Sequence, residues 1–446
     1  MSASKWKPYP KYSDKGIDWL GEVPAHWEIS TPRLMFEQIK DRNTDSARTN
    51  FLSLVSKKGI IPYEEKGSMG NKMSVNIDHY TIVDKGDFVL NSMNFGIGGF
   101  GVSDYDGITS PAYVVLRPVV EESLIRYLAQ IFEDEGFQKG TAILGDGIME
   151  LRRAIGWKHL KRQPIPIPTH EERMAISRFL ESGTDAIDEL IPALQNMLLK
   201  LEEKLSAQIT QLVTKGLNPD VEMKNSEIEY LDEHPTHWVP RKLLHCFQRI
   251  GSGGTPPSSN EEYYIGGDIP WVTTSELRES VIYSTKNKLT RKAISDYSTL
   301  KFYPKGTLVV AMYGATIGRL GWLGVPSTVN QACCCFSESI QDINEEFIFY
   351  WLLVNKIRYV NYFSSGGGQP NVNQEKLCNI RIPMPTLNEQ NKIVKIIKRR
   401  FGSFELLINQ IQNQIETLKE YQTSLISAAV TGKIDLRGWT GIGDHA

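Results

Sequence analysis

The sequence predicts a mixed α/β (α+β) protein in which two strand-rich globular domains are joined by two long antiparallel coiled-coil helices with pseudo-two-fold symmetry. Three observations lead to this prediction. The chain repeats itself, each repeat carries a long apolar period of three and four residues, and each repeat holds its own strand-rich insert. At 446 residues the chain is also too long for one ordinary core, which favours two or three domains.

Two blocks of sequence occur twice in the chain. A helical block opens with IPIPTHEERMAI at 165–176 and again with IPMPTLNEQNKI at 382–393, and the two copies align without a gap. A shorter block, DWLGEVPAHW at 18–27, matches EYLDEHPTHW at 229–238, again without a gap. We interpret the whole chain as a duplication, a pseudo-dimer in one polypeptide. The block boundaries divide it into five segments: 1–27, 28–164, 165–238, 239–381 and 382–446.

Each helical block carries apolar residues that step mostly by three and four, the spacing of a coiled-coil seam. A separate buried stripe on each helix is the alternative, but the length and the shared register favour packing of one helix on the other. Pro168 and Pro385 fit helix starts, and Pro192 is expected to kink the first helix. The first helix leads from the first insert to the second and the second helix leads back, so we expect an antiparallel pair. The residues predicted to lie at the interface between the helices or with a partner are Ile176, Leu180, Leu190, Leu194, Leu201, Ile393, Ile397, Leu407, Ile411 and Leu418.

The segments 28–164 and 239–381 are predicted to be strand-rich insert domains. Stretches such as HYTIVDKGDFVLNSM and KGTLVVAMYG combine β-branched and aromatic residues with flanking Gly, Pro, Ser and Asn. Each insert is long enough to hold its own core. The two inserts share no obvious similarity beyond this β-rich texture, while the blocks around them repeat. This pattern predicts one scaffold that presents two different surfaces.

A glycine-rich stretch in the first insert, GIGGFG at 96–101, matches the dinucleotide-binding pattern G-x-G-x-x-G. A true dinucleotide site lies between a strand and a helix whose N-terminus faces the pyrophosphate. This stretch runs instead into VSDYDGITSPAYVVL, which is typical of a turn and a strand. We therefore predict a mobile or close-approach glycine loop rather than a cofactor site.

Composition narrows the functional classes. The formal charge of −2 gives no global indication of a polyanionic partner, so any nucleic-acid surface must be local. No apolar run approaches the roughly 20 residues of a membrane-spanning helix and the first residues are polar, which predicts a cytoplasmic protein without a membrane partner. Three of the five cysteines are consecutive at 333–335, and we interpret them as buried apolar residues rather than a metal site or disulfide framework. His26 and His237, in repeated HW dipeptides, are interpreted as structural.

The predicted loops of both inserts concentrate basic, amide and hydroxyl side chains. Arg pairs with guanine edges, Asn and Gln with adenine, and Ser, Thr and Lys hold phosphates, so these loops are suited to reading DNA. Solvated loops have a similar composition, which leaves the plain alternative open. The candidate DNA-binding residues are Ser56, Lys57, Lys58, Asn94, Arg152, Arg153, Ser252, Thr255, Tyr313, Thr316, Arg319, Gln369 and Asn371.

Several of these segments resemble a known family. The Pro-rich helix starts followed by an acidic residue, GEVPAHW before the first insert, and PKGTLVVAMYGATIGRLGWLGVPSTVNQACC at 304–334 are similar to the specificity subunit of type I restriction-modification enzymes. The resemblance implies that 28–164 and 239–381 are target-recognition domains, each reading one half of a bipartite site in double-stranded DNA. It also implies that the helical rod docks two methyltransferase (modification) subunits, and that restriction subunits join them.

The resemblance further implies that this chain is the non-catalytic reader and holds no cofactor itself. Adenine methylation with S-adenosylmethionine is expected in the modification subunits, and ATP- and Mg-dependent translocation and cleavage in the restriction subunits. One departure concerns the first helical block, where Glu172 and Arg173 stand where Glu389 and Gln390 keep the family's EQ pair. A coiled-coil scaffold that organises partners without touching DNA is the alternative function. A catalytic function would need a convergent acid, base, metal or nucleotide site, and the sequence offers none.

Overall fold

Two compact units make up the chain. The computed structural model describes residues 7–44, 47–56, 58–67, 77–144, 155–364 and 371–439. Unit 1 comprises Met1–Gln195 and Gln412–Ala446, and unit 2 comprises Asn196–Ile411. Each unit therefore contains one insert together with a piece of each long helix.

Unit 1 centres on a four-stranded antiparallel sheet. The strands of unit 1 are β1 Tyr12–Asp14, β2 Glu22–Pro24, β3 Glu28–Ser30, β4 Phe36–Ile39, β5 Leu52–Val55, β6 Gly59–Pro62, β7 Thr81–Val83, β8 Phe88–Leu90, β9 Phe100–Val102, β10 Gly107–Thr109, β11 Val114–Pro118 and β12 Ile165–Ile167. Its helices are α1 Glu122–Glu133, α2 Glu135–Ala142, α3 Trp157–Leu160 and the start of α4 His170–Lys215. The sheet order is β4-β11-β8-β9, and the pairs β1·β2, β3·β12, β5·β6 and β7·β10 flank it.

Unit 2 centres on a five-stranded sheet of order β16-β23-β20-β21-β18, beside a three-stranded sheet of order β19-β17-β22. Its strands are β13 Met223–Asn225, β14 Glu233–Pro235, β15 Val239–Lys242, β16 Phe247–Ser252, β17 Ile269–Val272, β18 Val281–Ile282, β19 Lys288–Leu289, β20 Leu308–Ala311, β21 Leu320–Leu323, β22 Thr328–Val329, β23 Cys333–Ser339 and β24 Arg381–Met384. Its helices are α5 Arg291–Asp296, α6 Glu345–Ser364, α7 Gln374–Cys378 and the start of α8 Leu387–Val430. This content confirms the mixed fold class with two strand-rich domains and two long helices.

The two inserts share one sheet topology although their sequences diverge. In chain order β4, β8, β9 and β11 occupy the same places in the first sheet as β16, β20, β21 and β23 in the second. A Lys-Gly turn precedes β8 and β20, and Gly86 and Gly306 both have positive φ, +93° and +86°. The side chains of Ser110 and Asn330 each accept a hydrogen bond from the backbone N–H two residues later. The glycine pair and the Ser110–Asn330 pair have the same separation along the chain, so the duplication extends into the inserts.

The consecutive cysteines lie on β23, a central strand of the second sheet. All three are fully buried, and burial raises the pKa of each thiol above its usual value. Cys334 packs into the core that includes the helices, whereas Cys333 and Cys335 face the opposite side of the sheet. The prediction of buried apolar residues is confirmed. Within the described residues no cluster of His, Cys, Asp and Glu is arranged to hold a metal ion.

Within unit 1 the two long helices pack against each other in antiparallel directions. In unit 1 Gln422 donates a hydrogen bond of 2.9 Å to Asp188, and Leu425 lies beside Gly183. Residue numbers thus rise along α4 while they fall along α8, which confirms the antiparallel arrangement within this unit. In unit 2 the end of α4 and the start of α8 contribute to one core that also holds β20 and β23.

The predicted interface residues differ in burial along the helices. Ile176, Leu180, Ile393, Ile397 and Ile411 are buried, and Leu194, Leu201 and Leu418 are half-buried. Leu190 and Leu407 are 45% and 36% exposed, so the second long helix does not cover them and they stay candidates for a partner interface. A straight helix drifts by about 20° per heptad, so a seven-residue spacing does not stay on one face without supercoiling. The helix α4 runs unbroken through Pro192, and the predicted kink stays a prediction.

A junction between insert and helices occurs once in each unit. In unit 1 the Nε2 atom of His26 lies 2.8 Å from Oε1 of Glu172, in the first turn of α4. Trp27, next to His26, is buried against the end of α8, where a Cβ on Gly432 would lie 2.9 Å from the indole ring. Gly432 also has a φ of +70°, which favours glycine at a helix C-terminus.

Unit 2 repeats this junction with the helices exchanged. His237 lies 3.0 Å from Glu389 in the first turn of α8, and Trp238 is buried against Gly216 at the end of α4. Each junction therefore joins the start of one long helix to the end of the other. The repeated helix start exists because the same joint is made twice, and both histidines are structural as predicted.

Arg173 stands in the first helical block where the second block has Gln390, and the two side chains make equivalent hydrogen bonds. The guanidinium of Arg173 donates to the carbonyl oxygen of Pro168 over 2.7 Å, and the amide of Gln390 donates to that of Pro385 over 2.9 Å. Arg173 also forms an ion pair with Glu121, while Gln390 donates to the carbonyl oxygen of Asp342. The two side chains thus hold the helix start in the same way, although only one of them carries charge.

Replacing Glu172 with Gln is expected to lower the free energy of unfolding at pH 7 by roughly 2 kcal/mol. Burial alone would raise the pKa of the Glu172 carboxyl, but hydrogen bonds from His26 and Thr169 outweigh it and lower the pKa below its usual value of 4.5. The lowered pKa means that the carboxylate stabilises the fold fully at neutral pH and less as the pH falls below 4.5. Urea unfolding at pH 7 and pH 4 measures this difference.

The matched control is Glu389→Gln, because that carboxylate is more exposed. We expect a smaller loss of stability for it. Equal losses for the two variants at pH 7, or a loss for Glu172→Gln that does not shrink at pH 4, would contradict the role given to the buried carboxylate.

The described helices include none that is both long and apolar enough to cross a membrane.

Candidate nucleic-acid interface

The hairpin between β20 and β21 gathers several of the predicted residues in unit 2. Tyr313 lies at its tip, exposed, and forms an isolated antiparallel bridge with Asn371. The Thr316 hydroxyl donates to the carbonyl oxygen of Tyr313 over 3.4 Å, which ties the tip to itself. Tyr313, Thr316 and Asn371 therefore lie together at one surface. Gln369 lies outside the described residues.

This hairpin is held rigidly against α6. Gly318 has a φ of +72°, and a Cβ there would lie 3.2 Å from the hydroxyl of Tyr359. Arg319 is half-buried and donates to the carbonyl oxygen of Leu277 over 3.4 Å. Lys376 donates to the carbonyl oxygen of Asn371, which holds Asn371 in place. The tip thus presents polar groups from a rigid support, which recognition of a specific ligand requires.

The equivalent hairpin of unit 1, between β8 and β9, carries Asn94 at its tip. Asn94 is exposed, and its carbonyl oxygen accepts hydrogen bonds from the N–H groups of Ile97 and Gly99. A Cβ on Gly99 would lie 2.6 Å from that carbonyl oxygen, which confirms the predicted close-approach glycine loop. Because this segment leads from a strand through a single helical turn into β9, it cannot present a long helix to a dinucleotide.

Two apolar side chains stand out at this tip and were missed by the sequence analysis. Met93 is 74% exposed and Ile97 is 59% exposed, although both follow a buried strand. Apolar side chains contact the methyl group of thymine or wedge between base steps in DNA complexes. Their proximity to Asn94 in the sequence could have marked them as candidates. However, a single sequence does not show whether an apolar residue is exposed.

The turn between β5 and β6 adjoins the same part of unit 1. Ser56 is half-buried and Lys58 exposed in this turn, and the N–H of Lys58 donates to the carbonyl oxygen of Val55. The turn contacts β9, because a Cβ on Gly101 would lie 2.9 Å from Gly59. Both candidates are therefore near the hairpin strand that follows Asn94. The predicted residues Lys57, Arg152 and Arg153 lie outside the described residues.

The glycine-rich segment that begins at the end of β16 has a structural role. A Cβ on Gly253 would lie 1.7 Å from the carbonyl oxygen of Val329, and the indole N–H of Trp271 donates to the carbonyl oxygen of Gly254. Ser252 is half-buried, and its carbonyl oxygen accepts from the hydroxyl of Tyr303. Thr255 is exposed and stays a candidate. The glycines in this segment are explained by close packing without a ligand.

Comparison with known proteins agrees with this arrangement. Residues 235–417 match the family model described as type I restriction modification DNA specificity domain. A putative type I restriction enzyme MjaX specificity subunit of Methanocaldococcus jannaschii is 24% identical over 94% of this chain and 96% of its own length. The chain is thus similar to type I restriction-modification specificity subunits along nearly its whole length. The EcoR124I/EcoR124II specificity subunit of Escherichia coli is 23% identical over 56% of this chain and 57% of its own length.

A solved structure from work on complex assembly of the type I restriction-modification system shares the fold. It is 15% identical, with a TM-score of 0.67 over 92% of this chain and 99% of that one. Two equivalent sheets that end in different hairpin tips provide two frames with different contact surfaces. The tips at Asn94 and Tyr313 are thus the best-supported candidates for DNA contact.

Proposed function

We propose that this specificity subunit selects the DNA sequence for a type I restriction-modification complex, each insert reading one half of a bipartite site. The observation that carries the proposal is the pair of matched sheets with unmatched tips. The frames agree in strand order and in the turns that precede equivalent strands, whereas the tips differ, with Met93 and Asn94 in the places of Tyr313 and Gly314. A duplicated reader of an asymmetric sequence needs this combination.

The chemistry of the tips suits readout of base edges. The Asn94 amide offers a donor and an acceptor, the combination that pairs with adenine in the major groove. Met93 and Ile97 suit thymine methyl groups on either side. In unit 2 the Tyr313 hydroxyl, Thr316 and Asn371 offer polar contacts, and exposed lysines supply phosphate contacts that set the register of the protein on DNA.

The chain acts as the non-catalytic component of its complex. Methylation of adenine with S-adenosylmethionine is assigned to two modification subunits, and ATP- and Mg-dependent cleavage to restriction subunits. Exposed apolar residues on the long helices, including Leu190 and Leu407, support docking of protein partners there, since a helix face that stays apolar in isolation is typical of an interface.

The test is methylome sequencing of host DNA in the presence of this chain and its modification subunit. Exchanging residues 239–381 for another insert is expected to change one half of a split methylated motif and leave the other half intact. In the same assay Asn94→Ala is expected to relax the other half-site, since loss of one base contact costs about 1–3 kcal/mol of discrimination. Lys85→Ala, at the opposite end of β8, is the matched control.

A motif in which neither half depends on this chain would overturn the proposal and favour a scaffold that does not touch DNA. If Lys85→Ala relaxes the sequence specificity of that half-site as much as Asn94→Ala does, the proposed function stands, but the hairpin tip is not the surface that contacts the bases.

A further inference from the structure

The two long helices are equivalent in fold but opposite in charge. Residues 170–189 of α4 and 387–406 of α8 correspond when the repeated helix starts are aligned. The first stretch contains six acidic and two basic residues, and the second contains two acidic and five basic residues. Their formal net charges are therefore −4 and +3. A duplication that keeps the helix start, the junction and the apolar period has reversed the sign of the helix surface.

The basic residues of α8 form an exposed patch, defined here as Lys392, Lys395, Lys398, Arg399 and Arg400. Lys398 is bound to Glu346 at 2.6 Å in the first turn of α6. Among the described residues the other four form no ion pair. Like charges three and four residues apart on a helix repel each other, at about 0.2–0.5 kcal/mol per pair. The free chain thus carries an electrostatic cost that an acidic partner would remove.

The surroundings of the basic patch favour a protein over DNA. Phe401, Leu406 and Leu407 follow it directly on α8, and all three are exposed. Exposed apolar residues beside the patch favour a protein partner, because protein–DNA interfaces are more polar than protein–protein interfaces. The patch also lies away from the hairpin between β20 and β21. Lys398 of the patch contacts Glu346 on α6, whereas the hairpin contacts Tyr359 on the same helix. These two residues are thirteen positions apart, about 20 Å at 1.5 Å per residue.

We propose that the basic patch binds an acidic surface of a modification subunit, so that the contact on α8 depends on salt in a way that the contact on α4 does not. This inference rests on the proposed function, because it assumes that the same partner docks on both helical blocks. A partner with one acidic surface gains attraction from α8 and meets the acidic stretch of α4 with no such gain. The two binding events therefore differ in affinity and in salt dependence, and docking on α8 comes first at low ionic strength.

The experiment measures binding of the modification subunit to the full chain by native mass spectrometry and calorimetry. The NaCl concentration is varied from about 50 to about 300 mM, because surface charges are progressively screened over this range. The variant is Lys392→Gln/Arg399→Gln/Arg400→Gln. We expect one of the two binding events to weaken about tenfold at low salt and to lose most of its salt dependence. The matched control, Lys200→Gln/Lys204→Gln/Lys419→Gln, removes the same charge from exposed positions elsewhere on the helices and is expected to change affinity less than about twofold.

Equal behaviour of the variant and the control would overturn the inference. A reduced salt dependence of DNA binding, with partner binding unchanged, would assign the patch to nucleic acid and overturn it as well. The proposed function is tested separately by the methylome. If an exchanged insert changes one half of the motif while the patch variant binds the modification subunit normally, only this inference is wrong. If the chain binds no modification subunit and alters no motif, both this inference and the proposed function are wrong.

Discussion

A chain that ends at Ser424 is expected to leave unit 1 unfolded while unit 2 keeps its structure. The deletion removes the last turns of α8 and the segment behind them, which supply part of the unit 1 core. The buried apolar residues lost are Leu425, Ile426, Ala429, Val430, Ile434 and Leu436. Each large aliphatic side chain contributes about 1.5–3 kcal/mol through burial, so the loss is on the order of 10 kcal/mol. This is comparable to the whole net stability of a domain, about 5–15 kcal/mol.

The effect should reach the first insert directly. Tyr127 of α1 is fully buried and donates a hydrogen bond of 3.0 Å to the carbonyl oxygen of Val430. Limited proteolysis with mass spectrometry would show cleavage throughout the described part of 28–164 and protection of 239–364. The control Lys419→Ala/Tyr421→Ala changes exposed residues of the same helix and should leave both units protected. A truncated chain whose first insert resists protease as well as the full chain would contradict the shared core.

Gly253→Ala is expected to lower the free energy of unfolding of unit 2 by about 3 kcal/mol or more. The added Cβ would lie 1.7 Å from the carbonyl oxygen of Val329 and 3.0 Å from its side chain. Relief requires movement of β22, which pairs in parallel with β17 through Val329 and Val272. The clash is with backbone in a sheet rather than with a flexible side chain, so no rotamer change removes it.

Differential scanning calorimetry would detect this loss as a lower melting temperature for unit 2. Gly402→Ala is the matched control, because a Cβ there meets nothing within 4 Å in the interior of α8. Alanine is favoured over glycine in a helix by up to about 1 kcal/mol, so the control should be neutral or stabilising. Unchanged melting of Gly253→Ala would show that the glycine segment is not packed as described.

The helical architecture was predictable because it depends on local, repeated signals. Pro168 and Pro385 mark the starts, and the glycines at 216 and 432 mark the ends, so the bounds of α4 and α8 follow from the sequence. Burial along the helices was not predictable. Leu190 and Leu180 occupy the same apolar period, yet one is exposed and the other buried, because spacing alone cannot show where a second helix ceases to cover the first.

The common sheet of the two inserts was hidden for a different reason. A strand needs only a compatible apolar pattern, so Phe88 and Leu308 fill the same place with different shapes. Residues with special backbone roles, such as Gly86 and Gly306, keep their identity. The candidate tips were partly predictable, since Asn94 and Tyr313 follow these strands, but exposure of Met93 depends on the folded hairpin.

The arrangement of unit 1 also sets the order in which the protein can complete its fold during synthesis. Unit 2 is one continuous segment, 196–411, and its parts are all present once that segment has left the ribosome. Unit 1 joins Met1–Gln195 to Gln412–Ala446, as the hydrogen bond between Tyr127 and Val430 illustrates. At about 5–20 residues per second, the first insert waits on the order of tens of seconds for its last helix. The half of the protein that is translated first is therefore the half that folds last, and its open apolar core is the stage at which a chaperone has most to protect.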